Sequence, residues 1–196
     1  MKLKQLAPSF FLIAIVLSSV ACTIFVGGPD TSKLTPIPIS TSDADTLKEQ
    51  IKKTFDEGAA TGMVTFTFTE AQVTSLLAQR LQSDPNLQTD QKPFITDPQV
   101  YLREGQMQIY GKTQQGMFAA NIGIIINVSV DENGKPKIEV VSADFGPLPA
   151  PKTLKEAFTA MIDETFTGAI GPAAVGLRIE AITIADGTMT ISGRIK

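Results

Sequence analysis

The chain has 196 residues, with 17 Lys and Arg against 20 Asp and Glu, a net charge of −3, no histidine, no tryptophan and one cysteine. Without histidine there is no Ser-His-Asp or Cys-His catalytic arrangement and no His-based zinc site. One thiol excludes an intrachain disulfide, and an acidic body with scattered Lys and Arg lacks the basic stripe that nucleic-acid binding requires. Nothing in the composition calls for a cofactor or a metal.

Lys2 and Lys4 are followed by no charged residue until Asp30, and the apolar run Leu6 to Val20 ends at Ser19-Val20-Ala21-Cys22. A short basic start, an apolar middle and small side chains at the end have the form of an export signal, residues 1–21. Three readings stay open. Cys22 becomes the lipid-bearing first residue of a lipoprotein, although Ser19 stands where such signals usually carry Leu. Alternatively nothing is cut, and Gln5 to Pro29, about the length needed to cross a bilayer, stays as an anchor running to residue 28 with its lysines inside. The third reading is cleavage after Ala21 and full secretion. The first two place the body on the outer face of the cytoplasmic membrane, or of another envelope membrane, anchored at its N-terminus.

Residues 22–45 read as a linker rich in Pro, Ser and Thr, with Gly27–Ser42 as an extended, semi-stiff spacer. One extracytoplasmic α+β domain, 46–196, follows. Ser42-Asp43 opens a short helix to about Asp56, with Leu47, Ile51 and Phe55 on one face and Gly58 as its stop. Met63–Phe68 alternates as a strand. Thr69-Glu70-Ala71-Gln72 is a capping box for a second short helix to about Gln82. Residues 83–98 read as a loop.

Antiparallel strands follow from Gln99, with turns at Arg103-Glu104-Gly105-Gln106 and Gln114-Gln115-Gly116. Between 117 and 130 every even position is apolar, from Phe118 through Ile122, Ile124 and Ile126 to Val130. Such a strand is far longer than the usual five or six residues and has to twist and coil, with Gly123 as a bending point. Asn133-Gly134 reads as a two-residue hairpin turn to a partner strand ending near Phe145. Gly146–Pro151 breaks regular structure. Thr153 to Ile170 has the pattern of a long amphipathic helix, and a last hairpin, 176–185 and 188–195, turns at Asp186-Gly187 with a bulge at Ala181-Ile182. The fold expected is a strongly curved antiparallel sheet of about six or seven strands wrapped on that long helix, with the two shorter helices near the N-terminus.

The long strand and the long helix could wall an elongated apolar groove: Phe118, Ile122, Ile124 and Ile126 on the strand, Phe158, Met161, Ile162 and Phe166 on the helix. They serve equally well as ordinary core. Asp56-Glu57 and Asp163-Glu164 are adjacent, so their side chains diverge by about 100° on a helix and are not set to share a proton. Asp131-Glu132-Asn133-Gly134 lacks the downstream acid of a calcium loop. Arg178 and Arg194 fall on outward positions of the last hairpin.

The helix start Thr69–Leu77, the Gly146–Pro151 break before an amphipathic stretch, and the terminal Asp186–Gly193 run together resemble the YpmS-like and LmeA-like groups of small bacterial envelope proteins. The resemblance implies a likeness to the tubular lipid-binding superfamily, in which a long helix lies in a curved sheet and holds an acyl chain. No catalytic residue is carried over with it. The expectation is a membrane-anchored, non-enzymatic binding protein for lipid or another long apolar ligand. The alternative is a structural or interaction module of an envelope complex.

Overall fold

The computed structural model describes residues 23–83, 88–89, 92–149 and 177–195. In chain order the elements are β1 (Ile24–Phe25), α1 (Thr41–Thr61), β2 (Met63–Thr69), α2 (Glu70–Ser83), β3 (Gln88–Thr89), β4 (Lys92–Pro93), β5 (Thr96–Arg103), β6 (Gln106–Gln115), β7 (Phe118–Val130), β8 (Pro136–Asp144), β9 (Leu177–Ala185) and β10 (Thr188–Ile195). The α+β class stands, with a strongly curled half-barrel and two helices among the described residues. The strands form two larger sheets and a small hairpin, not the one sheet expected. In the larger, β5, β6, β7 and β8 are successive antiparallel neighbours. In the smaller, β10 lies between β2 and β9. β2 thus pairs with a strand from the far end of the chain, Thr69 opposite Thr188.

Turn chemistry sets most of the hairpins. Glu104-Gly105 and Asp186-Gly187 both have two successive positive φ angles, the conformation whose twist matches that of flanking strands. The expected two-residue turn at Asn133-Gly134 is instead a five-residue loop, because Val130 pairs with Pro136 and the Asp131 N–H donates to Lys135 O at 2.8 Å. The bulge in β9 falls at Glu180, one residue before its expected place, since Ser192 faces Ala181 while Gly193 faces Ile179. A second bulge, at Val141 opposite Ile125 and Ile126, leaves Val140 and Val141 both exposed.

α1 is longer than expected. It continues through Gly58 and stops at Gly62, whose φ of 73° gives the left-handed cap. Gly58 serves close packing instead: a Cβ there would run into the Val64 side chain and lie 2.8 Å from Met63 O. The capping box of α2 forms as expected, Thr69 N to Gln72 Oε1 at 3.0 Å and Gln72 N to Thr69 Oγ1 at 3.3 Å. In the stretch expected as a loop, β3 and β4 form a short hairpin and β5 begins at Thr96. The long helix expected over 153–170 lies outside the described residues.

One core joins both sheets and both helices, including Leu47, Ile51 and Phe55 of α1, Phe66 of β2, Leu77 and Leu81 of α2, and Ile191 of β10. β9 runs across one end of the larger sheet. The Ile179 N–H donates to Gly134 O in the β7–β8 loop, and the Gly187 N–H to Leu102 O near the end of β5. That end is closed. The opposite end, at the β6–β7 turn and the close of β8, has no strand laid across it among the described residues.

Candidate apolar-ligand site

Phe118, Ile122, Ile124 and Ile126 share one face of β7 because they are two residues apart. The three isoleucines are fully buried, each 0% exposed, in the same cluster as Val100, Leu102 and Ile109 of the neighbouring strands and Leu76 and Leu77 of α2. Phe118 is separated from them and is 42% exposed at the open end. Phe158, Met161, Ile162 and Phe166 lie outside the described residues, as does Cys22. The structure therefore brings together the β7 half of the expected groove and sets Phe118 apart from it.

The other face of the sheet is covered by a segment that sequence reasoning treated as a spacer. Residues 24–40 run extended apart from a turn at 31–34, where the Leu34 N–H donates to Thr31 O at 3.1 Å, and they are docked. β1 pairs in parallel with the start of β7, Ile24 opposite Phe118, and the Asn121 N–H continues the ladder to Gly27 O at 2.9 Å. The Asn121 amide then donates to Pro29 O at 3.1 Å. Tyr101 Oη donates to Thr35 O at 2.9 Å, the Gln99 amide exchanges bonds with both backbone groups of Ile37, and the Ser40 N–H reaches Ser75 Oγ at 3.0 Å. This strap crosses β7, β6 and β5 in turn and ends on α2. Gly123 lies beneath it, where an added Cβ would meet Pro29 Cγ and the Tyr110 ring, both at 3.1 Å. The glycine expected to bend the strand gives room for the strap.

Between strap and sheet is an open cavity of about 340 Å³, lined by Leu34, Pro36 and Ile39 on one side and by Tyr101 and Tyr110 on the other. Tyr101 is 1% exposed, and its burial raises its pKa above the usual tyrosine value, against the opposing pull of Arg103. The Arg103 guanidinium sits 5.0 Å from its ring centre. A shallow polar notch of about 430 Å³ is lined by Glu70, Arg103, Glu104, Asp186 and Gly187. Glu70 is committed there already, accepting from the Leu102 N–H at 2.8 Å and facing Arg103 at 3.5 Å.

The remaining candidates resolve as ordinary structure. The Asp131 carboxylate accepts from the Asn133 N–H at 2.9 Å and the Lys135 N–H at 2.7 Å. The Lys135 bond is the main cause of its lowered pKa, so the calcium-like sequence is a self-bonded loop. Arg194 pairs with Glu180 at 2.7 Å on an exposed face, and Arg178 lies across from it. Among the described residues no group of three or more Cys, Asp or Glu is placed to hold a metal, and no helix is long and apolar enough to cross a membrane.

No protein-family model matches the chain, and no curated protein matches it. The resemblance to YpmS-like and LmeA-like proteins rests on the short motifs alone. A solved structure described as the crystal structure of lipopolysaccharide binding protein is similar with a TM-score of 0.33 and 10% identity, over 69% of this chain and 50% of that one. The chain thus spans about half the length of that protein.

Proposed function

We propose that this is a membrane-anchored, extracytoplasmic binding protein for lipid or another long apolar ligand, held between the inner face of β7 and the amphipathic stretch 153–170. The observation that carries this reading is a curled sheet whose long strand presents Ala120, Ile122, Ile124 and Ile126 in unbroken apolar succession. Connectivity supports it. The chain reaches Pro149 at the open end, where the Gln115 amide donates to Pro149 O at 3.1 Å, and resumes at Leu177 beside the closed end. These two points stand at opposite ends of the sheet, and an eighteen-residue helix is about 27 Å long. Binding would be driven by burial of apolar ligand surface, at about 25 cal/mol per Å² before ordering costs.

The test is native mass spectrometry of the full chain extracted from membranes in mild detergent. Non-covalent lipid retained by the protein is the expected result, with any acyl group on Cys22 distinguished by its covalent mass. Delipidated protein that neither retains lipid nor takes up a fluorescent fatty acid would refute the reading. That result would favour the second one, an interaction module of an envelope complex, for which the exposed apolar residues Ile24, Phe25, Met117 and Phe118 speak.

A further inference from the structure

Those four side chains stand at one end of the larger sheet, Ile24 and Phe118 toward one face and Phe25 toward the other. Ile24 and Phe25 face Phe118 and Ala119 across the parallel ladder, and the Ile24 N–H donates to Met117 O at 2.7 Å. Their exposures are 46%, 60%, 58% and 42% for Ile24, Phe25, Met117 and Phe118. Three segments build this open end: 23–29, 113–121 and 145–149. They touch at Gly146, where a Cβ would lie 2.9 Å from Gly28 N, and at the bond from Gln115 to Pro149. None of the three contains a charged residue, in a chain where 19% of residues are charged.

We propose that this uncharged end seats directly on the lipid bilayer, inserting Phe25, Met117 and Phe118 at the headgroup boundary. The inference rests on the anchoring part of the reading above and gives the body an orientation on the membrane. Three arguments select the bilayer over a protein partner. The patch exposes roughly 400 Å², from side chains of roughly 200 Å² each. A stable protein interface takes about 800 Å² from each partner. Among the described residues its rim carries few charges: Asp144, whose carboxylate accepts from the Gly146 N–H at 2.7 Å, with Asp30 and Lys112 flanking the segments. These are too few to specify a partner. It also begins two residues after Cys22 and four after the apolar run that ends at Val20, so only three residues, 21–23, separate that run from β1, which is paired to β7. Whatever holds residues 6–22 in the membrane holds this end of the body against it.

The experiment uses the full chain reconstituted in vesicles of phosphatidylethanolamine and phosphatidylglycerol that carry a phospholipid with a photoactivated diazirine near the glycerol end of its acyl chain. Met63, 59% exposed on the smaller sheet, is the matched control for Met117, 58% exposed. We expect vesicle flotation and labelling of the 114–121 peptide about tenfold or more above the Met63 peptide, as an apolar surface lying in the interface predicts. Phe25→Glu with Met117→Glu leaves flotation unchanged and lowers the 114–121 label to the control level. A chain that floats with equal label at Met117 and Met63 overturns the bilayer contact and leaves anchoring standing. A chain that does not float overturns both. Weak label at Met117 together with cross-linking of two copies through this end assigns the patch to self-association and also overturns the proposal.

Discussion

The edge of β5 offers the sharpest test of how the fold is held. β5 ends the larger sheet, so every second N–H points away from β6 and needs another acceptor. α2 supplies them from side chains. Glu70 accepts from the Leu102 N–H at 2.8 Å, and Thr74 Oγ1 from the Val100 N–H at 3.0 Å. The match is geometric: four helix residues rise about 6 Å, close to the roughly 6.6 Å between alternate strand residues. Two residues before Val100 stands Pro98, which has no N–H to satisfy. Thr74 is 0% exposed, so Thr74→Val strands the Val100 N–H without water. That costs about 1–3 kcal/mol, against up to about 0.8 kcal/mol returned by the added methyl. With the full methyl term returned, the net loss of about 0.2–2.2 kcal/mol lowers Tm by up to about 9 °C for a domain of this size. Thr74→Ser keeps the acceptor and loses only a methyl. Urea unfolding of the three proteins, with hydrogen exchange at the Val100 amide, decides the matter. A valine variant as stable as wild type, or more stable than the serine variant, refutes the edge-capping argument.

Gly58→Ala should destabilise the protein by about 1–3 kcal/mol in urea unfolding, since overpacking against Val64 and Met63 outweighs the roughly 1 kcal/mol that alanine gains in a helix; a stabilised variant would mean that α1 and β2 can separate freely. Gly28→Ala, at a φ of +108° with the Asn121 backbone in the way, should release the strap, read as faster exchange and protease cleavage over residues 24–37 with the core amides unchanged. Tyr101→Phe removes the bond to Thr35 O and should cost about 1 kcal/mol. The same residue makes stability depend on alkaline pH. The folded pKa of Tyr101 is raised above its unfolded value of 10.0, so its contribution is intact below pH 10 and lost as pH rises through the folded pKa. Wild type should therefore lose stability faster than Tyr101→Phe above pH 10, and parallel curves would show that Tyr101 ionises without strain.

What the sequence revealed and what it hid divide by range. The Glu104-Gly105 and Asp186-Gly187 turns, the Thr69–Gln72 capping box and the alternation of β7 are set by residues a few positions apart, and all of them formed as read. The pairing of Thr69 with Thr188 depends on residues from opposite ends of the chain, and nothing in either strand names its partner. The strap is the clearest case. Its Pro, Ser and Thr content reads as an extended spacer, but extension is equally the state of a free spacer and of a docked one. The difference lies in Asn121, Gln99 and Tyr101, whose polar groups are unremarkable in sequence and reach back 62 to 92 residues. Gly58 misled in a different way: a glycine near a helix end suggests a stop, whereas here it permits contact with the next strand. Of the candidate site, the β7 isoleucines were legible as a face, but alternation cannot distinguish a face that lines a groove from one that is packed shut.

Docking of the strap changes what the N-terminal region does mechanically. Sixteen free residues from Gly27 to Ser42 would reach about 50 Å when extended, letting the body turn in any direction at that distance from its attachment. Bound across β7, β6 and β5, the same residues add no reach. On the proposed anchoring, the attachment point coincides with the open end, while the closed end, with β9 crossing it and exposed charges such as Arg194 and Glu180 on the smaller sheet, points away. An apolar ligand leaving the bilayer would meet the open end first, and the inner face of β7 runs from there toward the closed end. If the strap were the tether it resembles in sequence, its anchoring bonds would be dispensable for loading. If orientation matters, Gly28→Ala should slow transfer of a fluorescent fatty acid from vesicles to the protein while leaving equilibrium uptake from solution unchanged. Equal transfer rates would show that the body loads without being held in place.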